Sequence, residues 1–290
     1  MIINDAGEYT LKYTATDACG NSTVVERGLT VEAPPTYRTV LYTDGTLIIN
    51  ESSRDEADNI AQHGVATNVY APFDPNGATD VDKYIFTINT VLWKSQRSSI
   101  ISVEFGSNVS PTDMKFWFYN LTNMTSFDAT NLDTSLVTSM QRTFDQCYKI
   151  ETLDLSGFDT SNVINMAQMF SYCDVLKNVD LSSFDTSNVT DMSSMFRFDR
   201  EIETLDLSSF NTVNVTNMGY MFGACVLLKT IYVSTDFVVS QVTSSSDMLF
   251  NLPQIVGGAG TTYNSSNPTD KTYAHIDGGT SDPGYFTARP

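Results

Sequence analysis

The chain has 290 residues, 16 Lys+Arg against 34 Asp+Glu, a formal net charge of −18, and only 17% charged residues. A surface this acidic repels DNA, RNA and anionic lipid, so neither nucleic-acid binding nor membrane insertion is expected. The 41% hydrophobic content is enough for a core, and the polar remainder is mostly Ser, Thr and Asn. Met1-Ile2-Ile3-Asn4-Asp5 carries no basic-then-apolar leader, so no signal peptide is read. The most apolar run, Tyr84 to Trp93, is too short and too polar for a bilayer span. Such a chain stays in the cytoplasm, leaves it by lysis, or is part of a longer exported protein.

In chain order, residues 1–32 open with Asp5-Ala6-Gly7-Glu8-Tyr9 and run into the alternating stretch Thr10 to Ala15. They turn through Thr16 to Ser22 and return to Glu32. This resembles the last two strands of a bacterial immunoglobulin-like domain, with Tyr9 in the tyrosine-corner position. Two readings stand: the chain begins inside a longer protein, or a neighbouring chain completes the sandwich. Residues 33–36, with Ala33-Pro34-Pro35, form a stiff linker. Residues 37–117 read as an N-terminal cap. Tyr42 to Ile49 is a hairpin with an Asp44-Gly45 turn. Ser53-Arg54-Asp55-Glu56 is a capping box for a helix ending at His63 and Gly64, and Val103-Glu104-Phe105 starts a strand stack.

The dominant signal is a repeat over 118–250. Leu153-Asp154-Leu155-Ser156-Gly157-Phe158-Asp159-Thr160-Ser161-Asn162-Val163 recurs without gaps at Val179–Val189 and Leu205–Val215, 26 positions apart each time. Each copy continues into Met-x-x-Met-Phe: Met166, Met169, Phe170; Met192, Met195, Phe196; Met218, Met221, Phe222. Degenerate copies flank them at Phe127-Asp128 and at Ile231-Tyr232-Val233. Within a unit, Leu-Asp-Leu alternation predicts a short strand with one buried face, and Phe-Asp-Thr-Ser-Asn is turn chemistry. Val189, Met192, Met195 and Phe196 predict a short helical turn facing the same interior. One unit cannot close a core, whereas stacked units can. Cys147, Cys173 and Cys225 each follow the Phe of their unit by three residues, as Leu121 follows Phe118. They read as small apolar residues of one interior column. Asp199 interrupts that column and predicts a local distortion. Residues 251–290, with Gly278-Gly279 and Asp282-Pro283-Gly284-Tyr285-Phe286, read as a C-terminal cap with turns and a closing strand.

The pattern VDLSSFDTSNVTDMSSMF of residues 179–196 resembles the BspA-type leucine-rich repeat of bacterial surface proteins, also known as a repeat in mycoplasma lipoproteins. The resemblance implies an α+β repeat fold: a leucine-rich-repeat solenoid with about 26-residue units, short parallel strands on one face, and caps at both ends. It implies adhesion and protein binding, and it carries over no catalytic residues.

The residues themselves point the same way. No Gly-x-Ser-x-Gly elbow, His-Glu-x-x-His or phosphate loop is present, and His63 and His275 read as structural or exposed. The expectation is a non-enzyme without a cofactor. Asp128, Asp154, Asp180 and Asp206 hold one position in successive strands, which makes them weak candidates for calcium; Asp74, Asn76, Asp80 and Asp82 form a weaker one. For ligand binding, the strand face offers Asp154, Asp180, Asp206 and Tyr232. The segments after the Met-Phe group, where the units differ most, offer Tyr148, Tyr172, Phe198 and Arg200. The expected partner is a host-cell surface protein or glycan. The expected setting is extracellular or on a virion, as a phage tail or capsid appendage or on a bacterial surface. A spacer or decoration subunit packing in a homo-oligomer, or against other virion subunits, is the alternative.

Overall fold

The computed structural model describes residues 7–16, 22–31, 37–52, 62–63, 66–70, 94–106 and 109–289. Cys19, most of the helix opened by the capping box, and the Asp74–Asp82 loop lie outside them.

β1 (Gly7–Thr16) and β2 (Ser22–Val31) form an antiparallel hairpin in continuous register from Gly7↔Val31 to Thr16↔Ser22. β3 (Tyr37–Tyr42) and β4 (Thr46–Ser52) make the second hairpin, closed by a Gly45 N–H bond to the Tyr42 carbonyl at 3.1 Å. Gly45 has φ of 90°, and a Cβ there would meet the Ser99 carbonyl at 2.8 Å, so the Asp-Gly turn admits only glycine. β5 (Ala66–Tyr70) pairs antiparallel on the far side of β3. From β4 onward the pairing turns parallel: β6 (Ser102–Phe105) lies on β4, and β7 (Ser126–Phe127) lies on β6.

The repeat then supplies β8 (Thr152–Asp154), β9 (Asn178–Asp180), β10 (Thr204–Leu207) and β11 (Thr230–Val233). β12 (Thr287–Ala288), from the C-terminal segment, closes on β11. Registers are 26 residues apart, Leu153↔Val179 and Leu205↔Ile231 among them. The strands associate in twos: β8 with β9 and β10 with β11, with no ladder between β7 and β8 or between β9 and β10. Each closed pair is crossed by an ion pair, Lys177–Glu151 and Lys229–Glu203, both at 2.8 Å. At each open interval a cleft of roughly 370–380 Å³ lies between the strands.

One hydrophobic core runs from Leu41 to Phe286 and contains Phe158, Phe184 and Phe210 together. Phe118, Phe144, Phe170, Phe196 and Phe222 stack ring on ring, with centroids 5.3, 6.0, 5.5 and 6.1 Å apart. Phe286 caps the column edge-on at 6.0 Å from Phe222. Equal spacing in sequence has become equal spacing in space, which buries side chains that no single unit could cover.

The helical turn predicted at Val189–Phe196 is a string of tight turns instead, and 109–270 contains no helix. Met195, Arg197 and Asp199 donate their N–H groups three residues back, to Met192, Ser194 and Phe196, at 3.2 Å each. The intervening N–H groups of Met192, Ser194, Phe196 and Phe198 donate outward, to Asn217, Gly219, Met221 and Gly223, at 2.8–3.0 Å. An α-helix would consume every N–H internally and leave the next unit nothing to bond. The predicted burial is nevertheless correct: Val189, Met192, Met195 and Phe196 are all fully buried. The turns require left-handed backbone. Among the described residues twelve non-glycine residues have positive φ, in pairs four apart in each unit, such as Ser194 at 55° and Phe198 at 67°. From Phe116 to Ala224 each is held against a penalty of about 1 kcal/mol or more by its N–H bond to a carbonyl of the next unit.

Side chains complete the stitching. The buried threonines Thr134, Thr160 and Thr186 each donate Oγ1–H to a carbonyl of the following unit (Asp159, Asp185, Asn211) at 2.9 Å. The Thr186 oxygen also accepts the Asn211 N–H at 2.9 Å. Asn162, Asn188 and Asn214 reach the other way, donating Nδ2–H to Ser135, Ser161 and Ser187 carbonyls at 2.7–2.8 Å. The C-terminal segment is closed by the buried Asp277 carboxylate, which accepts N–H groups of Ala259, Thr261 and Gly279 at 2.9 Å and the Thr261 hydroxyl at 2.7 Å. Those bonds hold its pKa below the ordinary carboxylate value against the desolvation that would raise it.

Replacing Thr186 by Val keeps the shape but strands the Asn211 N–H and carbonyl. The unfolding free energy in urea is expected to fall by about 1–3 kcal/mol, and Thr186→Ser to lose markedly less. Equal losses in both variants would assign the effect to packing rather than to the bridge.

Candidate functional site

The candidate residues fall into two separate groups. On the strand face, Asp154 lies directly opposite Asp180, and Asp206 lies opposite Tyr232. Asp128 follows β7, across an interval without a ladder. Each aspartate is occupied locally. Asp154 Oδ1 accepts the Ser156 N–H at 3.0 Å and hydroxyl at 2.6 Å, and Asp128 and Asp180 do the same with Thr130 and Ser182. The Ser156 and Ser182 bonds lower the pKa values of Asp154 and Asp180. Asp206 pairs with Arg289 at 3.2 Å, and the same guanidinium sits 5.1 Å above the Tyr232 ring. Among the described residues no three His, Cys, Asp or Glu side chains converge as a metal ligand set. The repeated aspartate therefore has a structural account as the acceptor of a turn.

The second group lies along the turn strings. Tyr172 and Phe198, 26 residues apart and both at positive φ, stack at 4.5 Å with planes 24° apart. Arg200 covers Phe198 at 5.6 Å and pairs with Asp174 at 3.4 Å. Tyr148 lies nearby, half-buried, with its hydroxyl pKa raised first by desolvation and then by Asp174 and Asp145. All four sequence-predicted residues of these segments therefore share one edge.

That edge contains more than the sequence indicated. Arg197 is clamped between Phe198 and Tyr220, 4.8 and 4.5 Å from the ring centroids. Arg142 lies over Phe116 and Tyr119, at 5.7 and 5.9 Å, and Arg97 over Tyr119 at 5.2 Å. Counting in steps of 26 aligns Phe116 with Arg142. It does not join Arg197 to Tyr220, because that contact crosses between neighbouring columns.

Beneath this edge sit three acids. Asp199 is fully buried in the place that Cys147, Cys173 and Cys225 hold in their units; its Oδ1 accepts the Cys173 N–H at 2.9 Å and its Oδ2 has no partner. The expected distortion is local and lies just after the acid. Asp199 N–H still bonds Phe196, as Cys173 N–H bonds Phe170, but the next turn, closed in the other units by Ile150, Leu176 and Leu228 N–H groups on the Cys147, Cys173 and Cys225 carbonyls, has no counterpart between Ile202 and Asp199. Burial holds the Asp199 carboxyl well above its ordinary value; the Cys173 N–H opposes, while Asp174 and Asp145 add. Asp145 is buried with both oxygens unpartnered, and burial raises it to about 7 despite Arg142 Nε at 3.6 Å. Asp174 is raised by burial and opposed by Arg200.

Cys147, Cys173 and Cys225 are free and buried, and desolvation raises each thiol. They donate instead to carbonyls of the preceding unit, Cys147 to Phe118 at 3.3 Å and Cys173 to Phe144 at 3.2 Å. His63 is buried with Nδ1 2.9 Å from Asp44 Oδ2 and Nε2 3.8 Å from Glu104. Asp44 Oδ1 meanwhile accepts the Thr46 N–H at 2.8 Å, so the imidazole fastens the 62–63 segment to the first sheet. His275 pairs with Asp282 at 3.2 Å near the surface.

A fold of stacked near-identical units, with its variable side chains gathered on one edge, defines a repeat protein. Residues 112–201 and 149–261 match the family described as "Mycoplasma protein of unknown function, DUF285", and the chain belongs to that family. No curated protein and no solved structure matches the chain.

Asp145 and Asp199 bind protons in the folded chain that the unfolded chain releases above about pH 4. The folded state therefore loses stability as pH rises from about 4 towards the Asp145 value near 7. The exposed Asp154 and Asp180, shifted downward, act in the opposite sense only below their ordinary value. Asp199→Cys is expected to stabilise the chain by about 1–3 kcal/mol at neutral pH and to flatten the decline in urea midpoint. A variant as pH-sensitive as the native chain would remove Asp199 from this account.

Proposed function

We propose that the chain is a non-catalytic surface interaction module that adheres through its turn edge to a host-cell protein or glycan. The observation that supports this is the partly exposed aromatic–guanidinium strip of Tyr172, Phe198, Arg197, Tyr220 and Arg200 on a protein of net charge −18. Tyr and Arg are the residue types that dominate binding energy at interfaces. Here rigid turns hold them in place, so little side-chain freedom is lost on contact. The strand face, by comparison, spends its aspartates on its own turns. The regular 26-residue register supports reading the units as one capped leucine-rich solenoid of the BspA type. The β1–β2 hairpin is read as the end of an immunoglobulin-like sandwich, and calcium is given no role. Display in many copies, on a virion or a bacterial surface, is the setting in which weak single contacts add up.

The double variant Tyr172→Ala/Phe198→Ala is expected to weaken binding to host cell-surface fractions by roughly tenfold or more, with Asp154→Ala as the unaffected control on the strand face. Binding unchanged in both variants, alongside self-association in light scattering, would favour the spacer or decoration role.

A further inference from the structure

We propose that Arg197 is the anchor of this edge and receives a carboxylate from an acidic segment of a protein partner, an inference that rests on the adhesive reading above. The other half-exposed or exposed arginines of the edge are already engaged, and Lys149, also exposed, offers no planar fork. Arg142 Nε donates to Gln168 Oε1 at 2.8 Å, and Arg200 pairs with Asp174 at 3.4 Å. Lys177 and Lys229 are paired across their strands. Arg97 is buried under the surface. Among the described residues no carboxylate lies within ion-pairing distance of Arg197, whose only contacts of this kind are the two rings that clamp it. The nearest acid on its ring partner is also occupied: Asp247 takes the Tyr220 hydroxyl bond and accepts the Thr269 hydroxyl at 2.9 Å.

The Arg197 guanidinium, 4.8 and 4.5 Å from two ring centroids, keeps N–H groups for which no acceptor lies among the described residues. The in-plane N–H fork is the part that grips a carboxylate in a bidentate manner. Preorganisation by Phe198 and Tyr220 removes much of the rotamer entropy that an exposed arginine would lose on binding. The same stacking argues against a sugar ring as the occupant. Saccharide recognition by aromatics uses open ring faces, and Phe198 has Tyr172 at 4.5 Å and Arg197 and Arg200 at 4.8 and 5.6 Å over its ring. What remains accessible is an edge of N–H donors and aromatic rims, suited to Asp or Glu side chains on a polypeptide. The acidity of the rest of the chain makes this a local attraction inside a repulsive field, so the partner must present its acids at one place rather than as a long polyanion.

The test uses the full chain at low ionic strength, titrated with an eight-residue oligo-glutamate peptide and, separately, with polygalacturonate. Binding is followed by NMR at the Arg197 Nε–H and at the backbone amides of 194–200 and Tyr220. Oligo-glutamate is expected to give saturable shifts centred on Arg197 that weaken with salt. Arg197→Gln is expected to abolish them, and Arg197→Lys, which keeps the charge but not the planar fork, to weaken them roughly fivefold or more. Shifts that persist in Arg197→Gln, or that arise only with polygalacturonate, overturn the assignment. The same variants in the cell-fraction assay separate the two readings. Loss in Tyr172→Ala/Phe198→Ala but not in Arg197→Gln removes the anchor and leaves adhesion standing, while loss in neither removes both.

Discussion

The constraint behind this structure is that a 26-residue unit cannot satisfy its own backbone. In each turn string every second N–H turns inward to a residue three back, and the rest must find a carbonyl in the next unit. A buried backbone group without a partner is costly, so a unit is stable only against a neighbour of matching length and shape. That requirement sets the side chains. Thr160 and Thr186 must be threonine-like because their hydroxyls complete the same bonds between units. The Phe column can stack at near-constant spacing only because the backbones are locked in step.

The same constraint accounts for what the sequence could reveal. Periodicity in Leu, Phe and Met identified the core almost completely, since a column repeats one residue type wherever one environment repeats. The turn string was not readable, because spacings of three and four suit an α-helix and a chain of turns equally. Only the destination of the intervening N–H groups separates them, and that belongs to the neighbouring unit. The pairing of strands in twos was likewise hidden. Glu151, Lys177, Glu203 and Lys229 alternate at one position, and an alternating series does not say which neighbour each lysine will choose.

For the candidate surface, sequence reasoning succeeded where it compared units and failed where contacts cross columns. Tyr172, Phe198 and Arg200 emerged as departures from a strict pattern, and they do lie together. Arg197 and Tyr220 are departures of equal size, but their meeting depends on how two columns lean towards each other. The aspartates show the opposite case. Their regularity drew the eye to a shared ligand, whereas each satisfies a turn within its own unit.

Asp199 gives this division its sharpest form. A repeat that tolerates a cysteine in three of its units has a cheap solution for that site, and a fully buried carboxylate with an unpartnered oxygen is a worse one. Stability alone would therefore favour the thiol. The acid sits directly before Arg200 and after Phe198, under a stretch where aromatic and guanidinium groups lie together. Places where a sequence violates its own local rule without structural gain concentrate at functional surfaces. The buried acids and the arginines above them are thus two layers of the candidate surface. Burial favours the protonated form of Asp145 and Asp199 beneath the guanidinium groups, and the turn string fixes both layers to the same backbone.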